Sequence, residues 1–182
     1  MSSNKIIEGV NIIDLKQIID ERGKIMHLMK NTDDHFLGFG EIYFSTCWPG
    51  TVKAWHIHTK MTVSNAVISG RAKLVIFDCR KESKTKGNLM ELFIGEDNYK
   101  LVQIPPGLAN GYKSYGDKLT ILANCADMPH DPNEMERFVG CFLTGTAAEI
   151  TPVSKIDNIF TSSVNFVLIV RNLYSHSFSR IE

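Results

Sequence analysis

The chain has 182 residues, of which 43% are apolar, enough to bury a core as a single domain without disulfides. Twenty basic side chains balance twenty acidic ones, so no net field draws the protein to nucleic acid or to an anionic membrane, and any anion must be held by a local site. Cys47, Cys79, Cys125 and Cys141 lie far apart with no CxxC pair, which argues against a zinc ribbon or redox dithiol and for reduced, structural thiols. The opening MSSNKIIEGV lacks an apolar segment of signal-peptide length, and the late run FVLIV is too short to cross a bilayer. A cytoplasmic protein is expected.

From residue 5 to about 125 the chain is a series of short runs rich in β-branched and aromatic residues: IIEGVNIIDL, EIYFSTCW, VKAWHIH, TVSNAVI, AKLVIFD, LMELFI, KLVQIP and KLTILANC. Between them stand DERG, WPGT, ISGR, KGN, GEDN, PPG and SYGD, in which glycine, proline or an Asx residue occupies the turn positions. Strands at this spacing, with no segment of helical period among them, predict an all-β antiparallel jelly roll. Residues 127–137, DMPHDPNEMER, read as a loop with one short helical turn after Asp131 or Pro132. Beyond Phe138 the pattern loosens: residues 139–182 form a divergent C-terminal segment of the same 1–182 domain, with one or two strands expected but not placed.

The stretch TVKAWHIHTK sets His56 and His58 two apart, hence on one face of a strand. The spacing Gly50, His56, His58, Gly70 resembles the first motif of the cupin barrels. Metal-binding cupins surround an ion with both histidines, a glutamate and a second-motif histidine, because a transition metal needs several strong donors. Here Val63 stands at the glutamate position, and PPGLAN puts Asn110 at that of the last histidine. No resident metal is expected. A metal-dependent cupin using His56 and His58 with Asp127 or His130 as distal donors is the competing expectation, and His58 reads equally well as a substrate-binding residue or as a satisfied core or rim histidine.

The order and spacing of GVNIIDLKQIIDERGKI, EIYFSTCWPGTVKAWHIH, SGRAKLVIFDCRKESKTKG, VQIPPGLANGY and DPNEMER resemble the dTDP-4-dehydrorhamnose 3,5-epimerase family of cupin-fold nucleotide-sugar epimerases. The resemblance implies a cofactor-free isomerase that removes a proton next to the ketone of a nucleotide-linked 4-keto-6-deoxyhexose, in the making of surface polysaccharide. His56 would be the base, since imidazole titrates near operating pH. Lys53, Lys60 or Asn110 would face the enolate oxygen, although Lys53, three residues before His56, falls on the other face of a regular strand. Arg22 would grip the diphosphate across a homodimer interface, with its rigid fork suited to phosphate. Glu41, Tyr43 and Ser45, alternating on one strand face, would contact the nucleotide, and Arg71 a phosphate. Asp78 and Arg80 read as a structural pair at a strand end.

Two departures bear on mechanism. Asn110 can hydrogen-bond a sugar but cannot shuttle a proton. The family's acid tyrosine should follow Asp127, where the chain reads Met128, Pro129 and His130. His130 can act as an acid in its place, whereas Tyr112 and Tyr115 lie elsewhere in the chain. The outcomes left open are a 3,5-epimerase, an epimerase at one carbon, a ketoisomerase, or a sugar-nucleotide binder with little activity.

Overall fold

The computed structural model describes residues 6–131 and, beyond them, the strand segments 141–145, 149–153, 155–156 and 159–160. Every regular element among the described residues is a strand, and all pairings are antiparallel. The elements are β1 (Asn11–Asp14), β2 (Gln17–Asp20), β3 (Gly23–Met26), β4 (Glu41–Cys47), β5 (Val52–Ile57), β6 (Val63–Ser69), β7 (Arg71–Asp78), β8 (Leu89–Gly95), β9 (Lys100–Ile104), β10 (Leu108–Ser114) and β11 (Thr120–Ala126). Four short strands follow, β12 (Cys141–Gly145), β13 (Glu149–Val153), β14 (Lys155–Ile156) and β15 (Ile159–Phe160), paired as two hairpins. The turn clusters read from the sequence fall between these strands. The helical turn expected after Asp131 or Pro132 lies outside the described residues.

A five-stranded sheet in the order β1-β9-β6-β11-β4 faces a four-stranded sheet in the order β5-β10-β7-β8. What joins them is the period-2 alternation of the strands. Val67, Val102, Ile104 and Leu122 of the first sheet meet Leu74, Ile76, Met90, Ile94 and Leu108 of the second in one buried cluster. Each such side chain contributes about 1.5–3 kcal/mol by leaving water. Where β6 turns into β7, Gly70 has φ +74° and its α-carbon lies against Leu119 and Thr120, so a β-carbon would meet the Leu119 carbonyl oxygen at 2.9 Å. Only glycine fits both the conformation and the space.

Two elements escape the run-by-run reading. β10, with the sequence LANGYKS, contains glycine, asparagine and lysine, residues depleted from strands, yet it lies between β5 and β7, whose pairing overrides local propensity. β2 and β3 flank the DERG turn as a separate two-stranded ribbon. The Asp78–Arg80 pair forms as expected, at 2.9 Å, with the carboxylate fully buried.

Candidate active site

The polar cavity lies toward one side of the sandwich, where β4, β11 and β6 face β5 and β10. Register builds its first wall. Asn124 on β11 is opposite Tyr43 on β4 and opposite Asn65 on β6, so three polar side chains stand abreast on the inward face. Ser45 lies two residues beyond Tyr43 on the same face.

The second wall depends on a bulge. On β10 the step from Asn110 to Tyr112 is two residues, but on β5 the partners are His56 and Lys53, three residues apart. The extra residue on β5 reverses the alternation within the strand. Lys53 and His56 therefore face the same cavity, which a regular strand forbids. Gly111 makes the bulge possible: a β-carbon there would stand 2.4 Å from Ala54 Cβ and 3.1 Å from the Lys53 carbonyl oxygen. Asn110 fastens the same spot, because its side-chain Nδ2 donates to the His56 carbonyl oxygen at 3.1 Å.

The cavity has a volume of about 390 Å³ and is lined at its centre by Lys53, His56, His58, Asn110 and Tyr112 on one wall and by Tyr43, Ser45, Asn65 and Asn124 on the other. His56 is solvent-exposed where it lines the cavity, yet neighbouring protein atoms displace part of its water. That desolvation lowers its pKa, and the neighbouring His58 and Lys53 lower it further. The shift favours the neutral imidazole, the state a base requires. Burial, aided by the nearby Glu41, raises the Tyr43 phenol. Burial also pushes Tyr112 up to about 12. Both phenols keep their protons at neutral pH.

The structure thus gathers His56, His58, Lys53, Asn110, Tyr43 and Ser45 into one cavity. It does not bring the other candidates there. Lys60 is exposed in the bend after β5. Asp127 accepts the Thr62 amide at 2.9 Å and donates its own to the Thr62 carbonyl, so it fastens the end of β11 to the start of β6. His130 is exposed beyond β11. Arg71 pairs with Asp97 at 2.6 Å beside a separate hollow. Glu41 acts on Tyr43 from outside the lining, and Arg22 stands at the exposed tip of the β2–β3 ribbon, paired with Asp20. No group of three or more histidines, cysteines or carboxylates able to hold a metal occurs among the described residues. Asn65 and Asn124 are polar cavity residues that sequence reasoning missed, and Tyr112, set aside there as lying elsewhere in the chain, also lines the cavity. Their signal was the inward phase of Val63-Asn65-Val67, Asn110-Tyr112 and Leu122-Asn124, legible only once each strand's core face is known.

The sequence profile of dTDP-4-dehydrorhamnose 3,5-epimerases matches residues 4–141. The chain belongs to this epimerase family. It is accordingly an isomerase of the nucleotide-sugar epimerase class, with the family's cupin jelly roll. It is 33% identical over 129 residues to the spore coat polysaccharide biosynthesis protein SpsL of Bacillus subtilis, covering 71% of this chain and 85% of that protein. It is also 33% identical over 120 residues to the probable low-salt glycan biosynthesis epimerase Agl13 of Haloferax volcanii, covering 65% of this chain and 77% of the relative. Among solved structures, a dTDP sugar isomerase from Desulfovibrio desulfuricans G20 superposes with a TM-score of 0.69 at 40% identity, over 70% of this chain and 82% of the other. None of these aligned spans reaches the full 182 residues.

Proposed function

We propose that this family member epimerises a dTDP-linked 4-keto-6-deoxyhexose in the assembly of a surface polysaccharide, with His56 as the base. The observation that carries this reading is the placing of His56 beside Lys53 on one wall of a cavity large enough for a hexose ring. A proton next to a ketone is acidic because its removal leaves an enolate. A neutral imidazole can take it if the developing oxygen charge is met by fixed donors. Lys53, brought alongside by the bulge, supplies the cation. The reaction moves only protons, so its electron balance closes without a cofactor. Asn110 is occupied with the His56 carbonyl and serves to position the base strand.

Inversion needs a proton delivered from the other face of the ring. Residues 127–130 do not supply it: Asp127 is bonded to Thr62, Met128 has no acidic proton, and His130 is exposed away from the cavity. Tyr43 stands on the wall opposite His56 with its phenol held protonated, and is the group suited to the task. Arg22, at the exposed tip of the β2–β3 ribbon, would grip the diphosphate held by a second copy. The edge strand β4, which exposes Ile42 and Phe44 outward, supports a homodimer.

The test is incubation with dTDP-4-keto-6-deoxyglucose and assignment of the product by proton coupling constants. An inverted C3 or C5 centre is expected. Recovery of unchanged substrate alongside tight binding of the nucleoside diphosphate would make the protein a binding module instead.

A further inference from the structure

Two buried polar atoms in the His56 cavity have no hydrogen-bond partner among the described residues, the Tyr112 hydroxyl and the Asn65 side-chain oxygen. Tyr112 is only 5% exposed and Asn65 only 3%. Ser45 is the polar neighbour of Tyr112 but lies outside hydrogen-bonding geometry. Leaving such a group unpaired costs about 1–3 kcal/mol, and native proteins rarely leave it so unless something else fills the place. The two atoms sit on opposite walls. A tyrosine hydroxyl donates one proton and can also accept, whereas an amide oxygen only accepts. A ligand with an acceptor oxygen on the β10 side and a hydroxyl on the β6 side would complete both. A keto sugar has both.

We infer that the Tyr112 hydroxyl donates a hydrogen bond to the substrate's ketone oxygen and holds the enolate formed from it. This deepens the function proposed above and rests on it. The sheet register explains why the ketone, and not a ring hydroxyl, is the partner. Tyr112 pairs with Lys53 across β10 and β5, and Asn110, two residues back, pairs with His56. One strand pair thus sets a phenol and an ammonium side by side, one step of the ladder from the base. Two donors converging on one point suit an oxygen that gains negative charge as the neighbouring carbon loses its proton. When His56 removes that proton, the C–H electron pair becomes the C=C bond of the enolate and the carbonyl π pair moves onto oxygen. The Tyr112 proton stays on Tyr112 as a hydrogen bond, and return of a proton to carbon restores the ketone. Asn65 takes a sugar hydroxyl from across the cavity and fixes the ring against this pair.

Tyr112→Phe removes the hydroxyl alone. In D₂O with dTDP-4-keto-6-deoxyglucose, exchange of the protons next to the ketone should fall roughly 10²–10³-fold, and exchange and inversion should fall together. The melting temperature should stay the same or rise, since no protein partner is lost. A second readout needs no turnover: substrate labelled with ¹³C at C4 is bound to His56→Ala, and adding Tyr112→Phe should move the bound carbonyl resonance upfield toward that of an unbonded ketone. Exchange at the wild-type rate with an unmoved resonance overturns the assignment. Exchange intact with inversion lost makes Tyr112 the carbon acid, which also overturns it. If wild-type protein shows no exchange, the epimerase reading falls, while the carbonyl shift still decides whether Tyr112 holds the ketone.

Discussion

The same barrel holds two polar clusters with opposite treatment. At the end of β7, Asp78 is fully buried and every valence is used: its carboxylate accepts the Arg80 amide and guanidinium at 2.9–3.1 Å and the Ser83 and Thr85 hydroxyls at 2.6 Å each. Arg80 continues to the Glu8 carbonyl oxygen at 2.7 Å, fastening the N-terminal segment over the β7–β8 loop. Burial alone would raise the Asp78 pKa, but these bonds outweigh it and hold the carboxyl far below the usual carboxylate range. In the His56 cavity, by contrast, Tyr112 and Asn65 are buried with no partner among the described residues. The fold itself completes the bonds of the Asp78 carboxylate, whereas the two cavity atoms stand where a ligand could complete theirs.

The contrast can be broken by substitution. The largest effect is expected at His56. His56→Ala should lower substrate proton exchange roughly 10²–10⁴-fold, with little change in the urea midpoint. In wild type the acid limb of kcat/KM should lie below pH 6.5, the ordinary histidine value, because burial depresses this imidazole and the base is lost only when it protonates. The unfolded chain binds that proton first, so the same group withdraws stability as pH falls through 6.5 toward the lower folded value. His56→Ala should flatten that slope.

Next in size is Tyr43→Phe, which should preserve exchange and suppress inversion by about 10² or more, separating the wall that removes the proton from the wall that returns one. Asp78→Asn should do the reverse of either cavity change. Denaturant titration should show a loss of about 3 kcal/mol, the scale for breaking a buried ion pair, while exchange by the folded fraction persists. In wild type the Asp78 contribution is complete above the unfolded carboxyl value of 3.8 and is lost as pH falls below it toward the folded value. The smallest effect is expected for Gly111→Ala, which must push Ala54 and the Lys53 backbone aside. A cost of about 1–3 kcal/mol is expected, with KM and kcat both altered because the bulge sets the angle between Lys53 and His56. Unchanged kinetics would detach the bulge from the chemistry.

Much of the scaffold was legible in the sequence. The runs around Val75, Val102 and Leu122 lie buried in strands, and the glycine, proline and Asx clusters mark the turns between them. His56 with His58, and Tyr43 with Ser45, could be placed on common faces because a two-residue spacing is local information. The position of Lys53 could not, since the extra residue on β5 is defined only by its pairing with β10, over fifty residues away. Asn65 and Asn124 escaped for the same reason: each is one neutral polar residue in an apolar strand until register sets it beside Tyr43. Tyr112 was named but could not be placed in the cavity, because the glycine and lysine of β10 conceal a central strand. Asp127 and Arg71 offered site-like residue types, but their hydrogen bond to Thr62 and ion pair with Asp97 were invisible in the chain order.

The central claim, that His56 removes a proton next to the ketone of a nucleotide-linked sugar, is tested most directly by proton NMR of dTDP-4-keto-6-deoxyglucose in D₂O with wild-type protein and His56→Ala side by side. Loss of the H3 signal, the H5 signal or both with wild type, and neither with the variant, is the predicted result. Equal exchange by both proteins would contradict it and move the base to another residue of the cavity.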